Sequence, residues 1–466
     1  MRIPNIFYIY CWYKAILSKM TKSNTLSYKL LMRFVLATIL LFVAAPGFAQ
    51  NDGSSIDDAL AKLPGIKVIH KKVTGSPFKA EYQLAIKQPI DHNDTTKGFF
   101  YQQLRLIHRD FSKPMVMETE GYSGRPGGNE LEKILHCNDI DVEFRYFNKS
   151  KPEPLDWQYA TFEQATADLH HINQLFRSLY QSKWISTGIS RGGETALTYR
   201  YFYPDDVDAT VPYVAPMPND IEDKRIYNFL DTAGGAEVAA KIKNAQIFML
   251  QHEKELLDKQ SAYAQKQQYN TLGGIGAAFE YEIMEYPFSF WQISNIDPKD
   301  IPTGDNVEDY YKHLIKVFGD DVSGFSDQKS VDPYLPHSYM TFQTGYYKYN
   351  LKPFKAYLHY LKGPNPSAAF LPESLPRKAY DPGFEQKINA WLYKSGNKIL
   401  YIYGGRDTWT ACKAEYGPTV NAKTFIVPGA NHYIARIKSM TPAMQQEFAT
   451  ALEQMTGLKA DMGVLK

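Results

Sequence analysis

The sequence lacks the features that connect a protein with nucleic acids or nucleotide cofactors. Its 52 basic and 50 acidic residues nearly balance, leaving a net charge of +2, and neither a basic patch nor an acidic tail stands out. Nucleic acid is therefore not an expected partner. The glycine-rich segment 273–276 is not a dinucleotide fingerprint, because no strand leads into it and no third glycine follows at the right place. Metal-binding and phosphate-loop motifs are missing too, so we expect no metal and no cofactor.

Cysteine is scarce, and the first of three cysteines lies in an N-terminal segment that we expect to be removed. Residues 34–45 form an apolar run that follows basic residues and precedes a small-x-small sequence ending at Ala49. This pattern predicts a secretory signal peptide cleaved before Gln50; the alternative is an N-terminal membrane anchor, for which the run is short. The mature protein would be secreted or periplasmic, with no stable membrane insertion. Its remaining Cys137 and Cys412 either pair or stay as two buried thiols.

A nucleophile motif lies between a predicted strand and a predicted helix. The strand-like run 183–189 passes into Gly188-x-Ser190-x-Gly192, and the residues that follow favour a helix. Glycines at both flanking positions let the strand and the helix approach closely while Ser190 takes strained backbone angles. The Ser190 hydroxyl would then be exposed, and the backbone amide of Arg191 would face the position of an oxyanion.

A glycine-rich loop after an early strand is expected to supply the second backbone amide of an oxyanion hole. Residues 51–65 are polar, and we expect them to lack regular structure. Period-two and apolar patterns then predict several strands and an amphipathic helix upstream of the motif. The strands are predicted at 82–90, 99–108, 114–120 and 141–147, and the helix at 165–179. After the third of these strands, the loop 121–128 would supply a second oxyanion amide from Gly121 or Tyr122.

Two later strand ends carry an aspartate and a histidine. The apolar strand that begins near residue 397 ends in two glycines before Asp407, and the strand 423–427 leads to a loop that holds His432. Serine, aspartate and histidine thus follow one another in the order used by α/β-hydrolases. Ser190 would attack a carbonyl carbon, His432 would take and return its proton, and Asp407 would fix the imidazole tautomer.

The alternation of strands and helices defines the expected architecture. It continues to about residue 218, gives way to a helix-like and aromatic region, and resumes near residue 391. This predicts an α/β protein with an α/β-hydrolase fold, in which a largely helical cap is inserted between the nucleophile half and the Asp/His half. The predicted parts are an upstream extension and signal peptide (1–49), the first part of the core (50–218), the cap (219–390) and the second part of the core (391–466).

Several motifs extend the similarity beyond the fold. The sequence Gln-Pro-Ile-Asp-His at 88–92, Glu-Gly-Tyr at 120–122, and the segments 151–157 and 184–193 resemble the S37 serine peptidases, with similarity from about residue 80 to 435. The first motif also resembles the S28 peptidases. The resemblance implies that Ser190, Asp407 and His432 form a catalytic triad. It also implies release of short peptides, often tripeptides and sometimes with proline near the cut, from free N-termini. Arg191 departs from the lysine that is more common in the family.

The resemblance leaves the substrate-binding residues open. A desolvated substrate ammonium needs an acidic partner, and Glu118, Glu120, Glu194, Glu253 and Glu280 are candidates among which the sequence does not choose. Peptides are the expected partners, and the oligomeric state is unknown from sequence. The alternatives are an esterase or lipase on the same triad, because fold does not fix substrate, and a non-catalytic binding protein with a degenerate triad.

Overall fold

A nine-stranded sheet organises the protein. The computed structural model describes residues 55–73, 80–125, 127–319, 324–345, 347–361, 363 and 370–465, so the predicted signal peptide lies outside the described residues. In chain order the strands are β1 (Ile66–Val73), β2 (Ala80–Pro89), β3 (Phe99–His108), β4 (Met115–Thr119), β5 (Asn138–Val142), β6 (Trp184–Ile189), β7 (Ala209–Tyr213), β8 (Ile399–Gly404) and β9 (Ala422–Val427). Their spatial order is β1-β2-β3-β5-β4-β6-β7-β8-β9.

The sheet is parallel where the proposed site lies. The pairs β1–β2, β2–β3 and β3–β5 are antiparallel. Every pair from β5 through β4, β6, β7 and β8 to β9 is parallel. The carboxyl ends of these six strands therefore meet at one edge of the sheet, where open α/β sheets place their ligand sites.

Helices cover both faces of this sheet and fill the segment between β7 and β8. The core helices are α1 (Ile56–Lys62), α2 (Glu130–Leu135), α3 (Phe162–Arg177) and α4 (Arg191–Phe202) before β7, and α13 (Pro442–Thr456) after β9. Between β7 and β8 lie α5 (Lys224–Thr232), α6 (Ala236–Gln251), α7 (Glu253–Gln267), α8 (Ile275–Gln292), α9 (Val307–Phe318), α10 (Gln328–Val331), α11 (Leu335–Thr344) and α12 (Pro382–Ser395). Within the described ranges no helix is long and apolar enough to cross a membrane.

Strand β4 shows how the central strands are buried on both faces. All five of its residues are buried. Because side chains alternate between faces, Met115 and Met117 join the core under α3, which contains Phe176, whereas Val116 joins the core under α13, which contains Phe448. A parallel strand covered on both faces has no solvent side, which explains why the apolar residues 115–117 are consecutive rather than alternating with polar ones.

The Gln-Pro-Ile-Asp-His motif is held by a buried ion pair. The Arg145 guanidinium donates to the backbone carbonyls of Pro89 and Ile90 and, at 2.6 and 2.8 Å, to the Asp168 carboxylate on α3. His92 Nε2 lies 2.7 Å from the same carboxylate. These contacts fasten the end of β2 to α3, so at least Pro89, Ile90 and His92 of the motif have a structural role.

The predicted strand at 141–147 is wrong over most of its length. Strand β5 begins earlier, at Asn138, and ends at Val142. Residues 143–147 are buried but turn, and Tyr146 has a positive φ of 74° that no extended strand adopts. The apolar residues here are buried because the turn packs into the core. Local apolar content does not distinguish a buried turn from a buried strand.

The prediction of a loose segment over residues 51–65 is also wrong where the structure describes it. Helix α1 begins after Ser55, whose side chain accepts from the amide of Asp58, while the Asp58 carboxylate accepts from Ser55 in return. This capping box was visible in the sequence, and it stabilises a short helix whose Leu60 is buried in the core. Strand β1, which follows the helix, was missed as well.

The helices between β7 and β8 pack around one hydrophobic cluster, which Cys412 from the loop after β8 also joins. Helices α5, α6, α8 and α9 contribute Ile226, Met249, Ile283 and Leu314 to one buried cluster. Apart from an isolated bridge between Thr271 and Asp327, the described residues from β7 to β8 contain no strand pairing. The boundaries of the cap at 219 and 390 stay a prediction.

The two cysteines of the predicted mature chain are both free and buried. Of the two alternatives that the sequence left open, the structure therefore selects buried thiols. Burial raises the pKa of the Cys137 thiol well above its usual value, which keeps it protonated and unreactive.

Candidate active site

Ser190 occupies a strained turn between β6 and α4. Its backbone angles are φ 58° and ψ −123°, a region that a serine adopts only when its surroundings impose it. The Ser190 amide donates to the Tyr213 carbonyl at 2.8 Å, and its carbonyl accepts from the Glu194 amide at 3.0 Å. These two bonds fix the turn to β7 on one side and to the first turn of α4 on the other.

The flanking glycines are required by close contacts, as the sequence predicted. A Cβ on Gly188 would lie 2.2 Å from the Gly192 carbonyl oxygen, and a Cβ on Gly192 would lie 2.5 Å from the Thr119 carbonyl oxygen. Both contacts are with backbone, which has little freedom to retreat. The Thr119 hydroxyl also donates to the Gly192 carbonyl at 2.8 Å, and therefore β4 is tied directly to the turn.

Asp407 and His432 form a hydrogen-bonded pair. His432 Nδ1 lies 2.7 Å from Asp407 Oδ2, and Asp407 Oδ1 accepts from the Trp409 amide at 3.1 Å. Both side chains are buried. A carboxylate at Nδ1 favours the tautomer with its proton on that nitrogen, which leaves Nε2 as the proton acceptor.

The strands bring the three predicted residues to the same edge of the sheet. Ser190 directly follows β6, whereas Asp407 and His432 lie on the loops after β8 and β9. Only β7 separates β6 from β8, and β9 is next to β8. Strands are spaced about 4.8 Å apart, so that β6 and β8 end roughly 10 Å from each other.

The predicted oxyanion amides belong to two segments that are in contact. Arg191 is the first residue of α4, where the backbone N–H has no partner within the helix. Gly121 follows β4, the neighbour of β6, and a Cβ on Gly121 would lie 2.5 Å from Arg191 Cγ. The Tyr122 carbonyl accepts from the Phe144 amide at 2.9 Å. This hydrogen bond attaches the segment 121–122 to the residues that follow β5.

The loop that carries His432 is fastened to the end of α8, a contact that the sequence analysis missed. The His432 amide donates to the Gln292 carbonyl at 2.9 Å. Asn431 Nδ2 donates to the Ile293 carbonyl at 2.9 Å, and its Oδ1 accepts from the Tyr433 amide at 3.0 Å. An asparagine directly before the histidine was the available signal, since such side chains often bond to nearby backbone.

The loop that carries Asp407 is fastened to the same helix. The Thr408 hydroxyl donates to the Phe288 carbonyl at 3.0 Å, and the Arg406 guanidinium donates to the Ile296 carbonyl. The Arg406 guanidinium also lies 5.2 Å from the Trp291 ring. The residues around the end of α8 therefore hold both loops of the Asp–His pair.

Two of the candidate ammonium partners lie in a buried cluster beside β4. The Glu120 carboxylate accepts from Arg125 Nε at 2.7 Å, and Glu118 lies 4.0 Å from Arg105. Burial raises the pKa of Glu118 to about 7 and that of Glu120 to about 8, against the opposing effect of the arginines. Two guanidinium groups therefore already lie beside the carboxylates of this cluster.

The other three candidates also have partners within the protein. The Glu253 carboxylate lies 2.7 Å from His359 Nδ1, and Glu280 accepts from the Tyr360 amide at 3.0 Å. Glu194 lies 3.9 Å from the Arg191 guanidinium. The structure therefore does not single out any of the five glutamates as a receptor for a substrate ammonium.

A largely parallel sheet with a serine at a strained strand-to-helix turn, and an Asp–His pair at the same edge, defines an α/β-hydrolase. The sequence profile of the PS-10 peptidase S37 family matches residues 49–460. The chain belongs to this family, and it is therefore a serine peptidase.

The chain is also similar to individual proteins. The chain is 29% identical over 424 residues to a prolyl tri/tetrapeptidyl aminopeptidase of Streptomyces mobaraensis, with 87% of each chain covered. Among solved structures it is similar to a proline iminopeptidase of Mycobacterium smegmatis (12% identity, TM-score 0.37, 80% of this chain and 98% of the other). It is also similar to a proline iminopeptidase-related protein of Thermus thermophilus (14% identity, TM-score 0.35, 80% and 99%).

Proposed function

We propose that this protein is a secreted serine exopeptidase that releases short peptides from free N-termini through an acyl-enzyme formed on Ser190. The observation that carries the proposal is the buried Asp407–His432 pair, 2.7 Å apart, at the sheet edge where Ser190 occupies its strained turn. A serine is a weak nucleophile until a neighbouring base takes its proton, and this pair supplies an oriented base.

The proposed reaction proceeds in two halves. His432 Nε2 takes the proton of the Ser190 hydroxyl as its oxygen attacks the scissile carbonyl, and the imidazolium that forms is stabilised by Asp407. The amides of Arg191 and of Gly121 or Tyr122 donate to the developing oxyanion. His432 then protonates the departing amine, and a water molecule repeats the sequence on the ester to release the short peptide.

The substrate class comes from the family and from the relative in Streptomyces mobaraensis, which is named for releasing prolyl tri- and tetrapeptides. We infer a similar peptide substrate for this chain, rather than an ester, because the similarity to this relative covers 87% of the chain. Tripeptides with proline at the cut are the first substrates to examine.

The test uses the mature chain from Gln50 and a matched pair of substrates. Ala-Ala-Pro-p-nitroanilide with a free N-terminus should be cleaved, its N-acetylated form should not, and Ser190→Ala should be inactive on both. Cleavage of both forms would contradict an exopeptidase. Cleavage of a medium-chain p-nitrophenyl ester alone would support the esterase alternative, and failure on all three substrates would support a binding protein.

Secretion has a separate test. The apolar run at residues 34–45 and the small residues before Gln50 motivate the proposal. N-terminal sequencing of protein exported by a bacterial host should begin at Gln50. Retention of the full-length chain in the membrane fraction would support the N-terminal anchor instead.

A further inference from the structure

Arg191 is an unusual residue for its position. It is the first residue of α4, where the helix dipole disfavours a cation, and its side chain is only 4% exposed. Burying a guanidinium is unfavourable unless other contacts compensate for the lost water. A basic side chain at this place would ordinarily turn outward into solvent, so its inward position calls for a physical reason.

The aliphatic part of the side chain lies between the two segments that carry the proposed oxyanion amides. A Cβ built on Gly121 would lie 2.6 Å from Arg191 Cβ and 2.5 Å from Arg191 Cγ. Real Cβ atoms do not approach so closely, and the contact exists only because Gly121 has no side chain. The stem of Arg191 therefore rests directly on the backbone that follows β4.

The far end of the side chain is held by other elements. The guanidinium carbon lies 4.9 Å from the Phe162 ring at the start of α3, and Nη1 lies 3.9 Å from the Glu194 carboxylate. Glu385 on α12 is also fully buried and faces the same cluster, where its pKa is raised by burial and by Glu194 but lowered by Arg191. The guanidinium is thus held by an aromatic ring of α3 and a carboxylate of α4, in a buried cluster that also includes Glu385 of α12.

Hydrogen bonding does not account for this position. Among the described residues, Arg191 Nε and Nη2 have no hydrogen-bond partner although both atoms are buried. The contacts that remain are the aromatic face of Phe162, the charge of Glu194 and the packing of the stem on Gly121. The first two contacts hold the guanidinium without a hydrogen bond, and the third determines where the stem lies.

We propose that the side chain of Arg191 is a positioning residue for the oxyanion hole, its stem setting the separation between the amide of Arg191 and the amides of Gly121 and Tyr122. This proposal rests on the proposed function. An oxyanion donor acts only when it is about 2.7 to 3.1 Å from the oxyanion, so a shift of one segment against the other weakens transition-state binding. Ground-state binding of the peptide would change little.

The test separates the stem from the charge. Arg191→Met keeps an unbranched stem without a charge, Arg191→Lys keeps both a stem and a charge, and Arg191→Ala removes the stem. Arg200→Ala is the matched control, because Arg200 is a buried arginine of the same helix that donates to the carbonyls of Val207 and Asn397 instead. Each variant is measured for kcat and KM on Ala-Ala-Pro-p-nitroanilide, for inhibition by a peptidyl boronate, and for thermal unfolding.

Removal of one oxyanion donor lowers kcat about 100- to 1000-fold, and we expect displacement of a donor to have a part of that effect. Arg191→Ala should lose roughly 10- to 100-fold in kcat with KM unchanged, and should bind the boronate correspondingly less tightly. Arg191→Met and Arg191→Lys should recover most of the loss. Arg200→Ala should lower the unfolding temperature without changing kcat.

Two results would overturn the positioning role while leaving the proposed function intact, provided that Ser190→Ala is inactive. One is a wild-type kcat in Arg191→Ala despite a lower unfolding temperature. The other is an Arg191→Met variant as impaired as Arg191→Ala, since the stem would then not be the cause. Should Arg191→Ala fail to fold, the comparison of Arg191→Met with Arg191→Lys still decides between stem and charge. Retained activity in Ser190→Ala would overturn both proposals.

Discussion

Replacing Asp407 by asparagine should disable the proposed catalytic histidine, His432, without disturbing the fold. In the wild type Asp407 Oδ1 accepts from the Trp409 amide and Oδ2 accepts from His432 Nδ1. An asparagine can accept from the Trp409 amide only with its single carbonyl oxygen, which turns its NH2 group toward the histidine. Two donors cannot face each other, so the imidazole must move its proton to Nε2. That nitrogen then cannot accept the proton of Ser190.

The size of the effect follows from the role of the tautomer. The same exchange in the Ser-His-Asp template lowers kcat about 10⁴-fold, which corresponds to roughly 5 kcal/mol at about 1.36 kcal/mol per tenfold change. We expect a loss of this order in kcat, a nearly unchanged KM, and a small change in unfolding temperature, because both hydrogen-bonding directions of the buried group remain occupied. Steady-state kinetics on the free tripeptide anilide and a thermal melt measure all three.

The chain offers a matched control for this substitution. Asp206 lies 2.7 Å from His170 Nδ1, the same separation as in the proposed catalytic pair, but it precedes β7 and is therefore at the opposite edge of the sheet. Asp206→Asn should leave kcat unchanged. A loss of less than about tenfold in Asp407→Asn, or an equal loss in Asp206→Asn, would refute the assignment of the aspartate.

Three further outcomes are expected. Gly188→Ala should destabilise the fold by at least 1–3 kcal/mol and abolish activity because its Cβ meets backbone, whereas Gly304→Ala, with nothing within 4 Å, should be neutral. Asp168→Asn should cost about 3–5 kcal/mol at pH 7 by leaving Arg145 buried and unpaired. Burial raises the pKa of Asp168, but the contacts with Arg145 and His92 lower it more, so the pKa lies below its usual value. The stability difference between the wild type and Asp168→Asn should therefore shrink below about pH 4, as the wild-type carboxylate is protonated. Dithiothreitol should not change the unfolding temperature, since both thiols are free.

Each of these expectations has a contrary result. An active, stable Gly188→Ala enzyme would mean that the turn is looser than the contacts indicate. A stability difference for Asp168→Asn that persists unchanged to pH 2 in urea unfolding would assign the effect to packing rather than to the ion pair. A reductant-dependent melt would require a disulfide bond.

The parts of the fold that sequence analysis anticipated are those with a local cause. Strand β3 was predicted with its observed bounds, because ten residues of alternating pattern lie between turn signals. The strained turn at Ser190 was anticipated for the same reason: the two glycines and the flanking strand and helix all lie within residues 184–202. The Asp407–His432 hydrogen bond was anticipated because each residue follows a short apolar strand, and the catalytic role of the two residues stays a prediction.

The parts that were missed depend on contacts between distant segments. No local pattern places β5 between β3 and β4, since that order is decided by which strands bury each other's faces. The attachment of Asn431 to the end of α8 joins residues that are 138 apart in the chain. The surroundings of Arg191 likewise combine α3, α4, α12 and the segment after β4, and a sequence read in order shows none of these neighbours.

The most direct test of the account is to locate the residue that becomes covalently modified by a fluorophosphonate probe. The account predicts one adduct per chain, mapped by peptide mass spectrometry to Ser190, absent from Ser190→Ala and formed much more slowly by Asp407→Asn. Failure of the wild-type protein to react, or an adduct on a different serine, would contradict the assignment of Ser190 as the nucleophile.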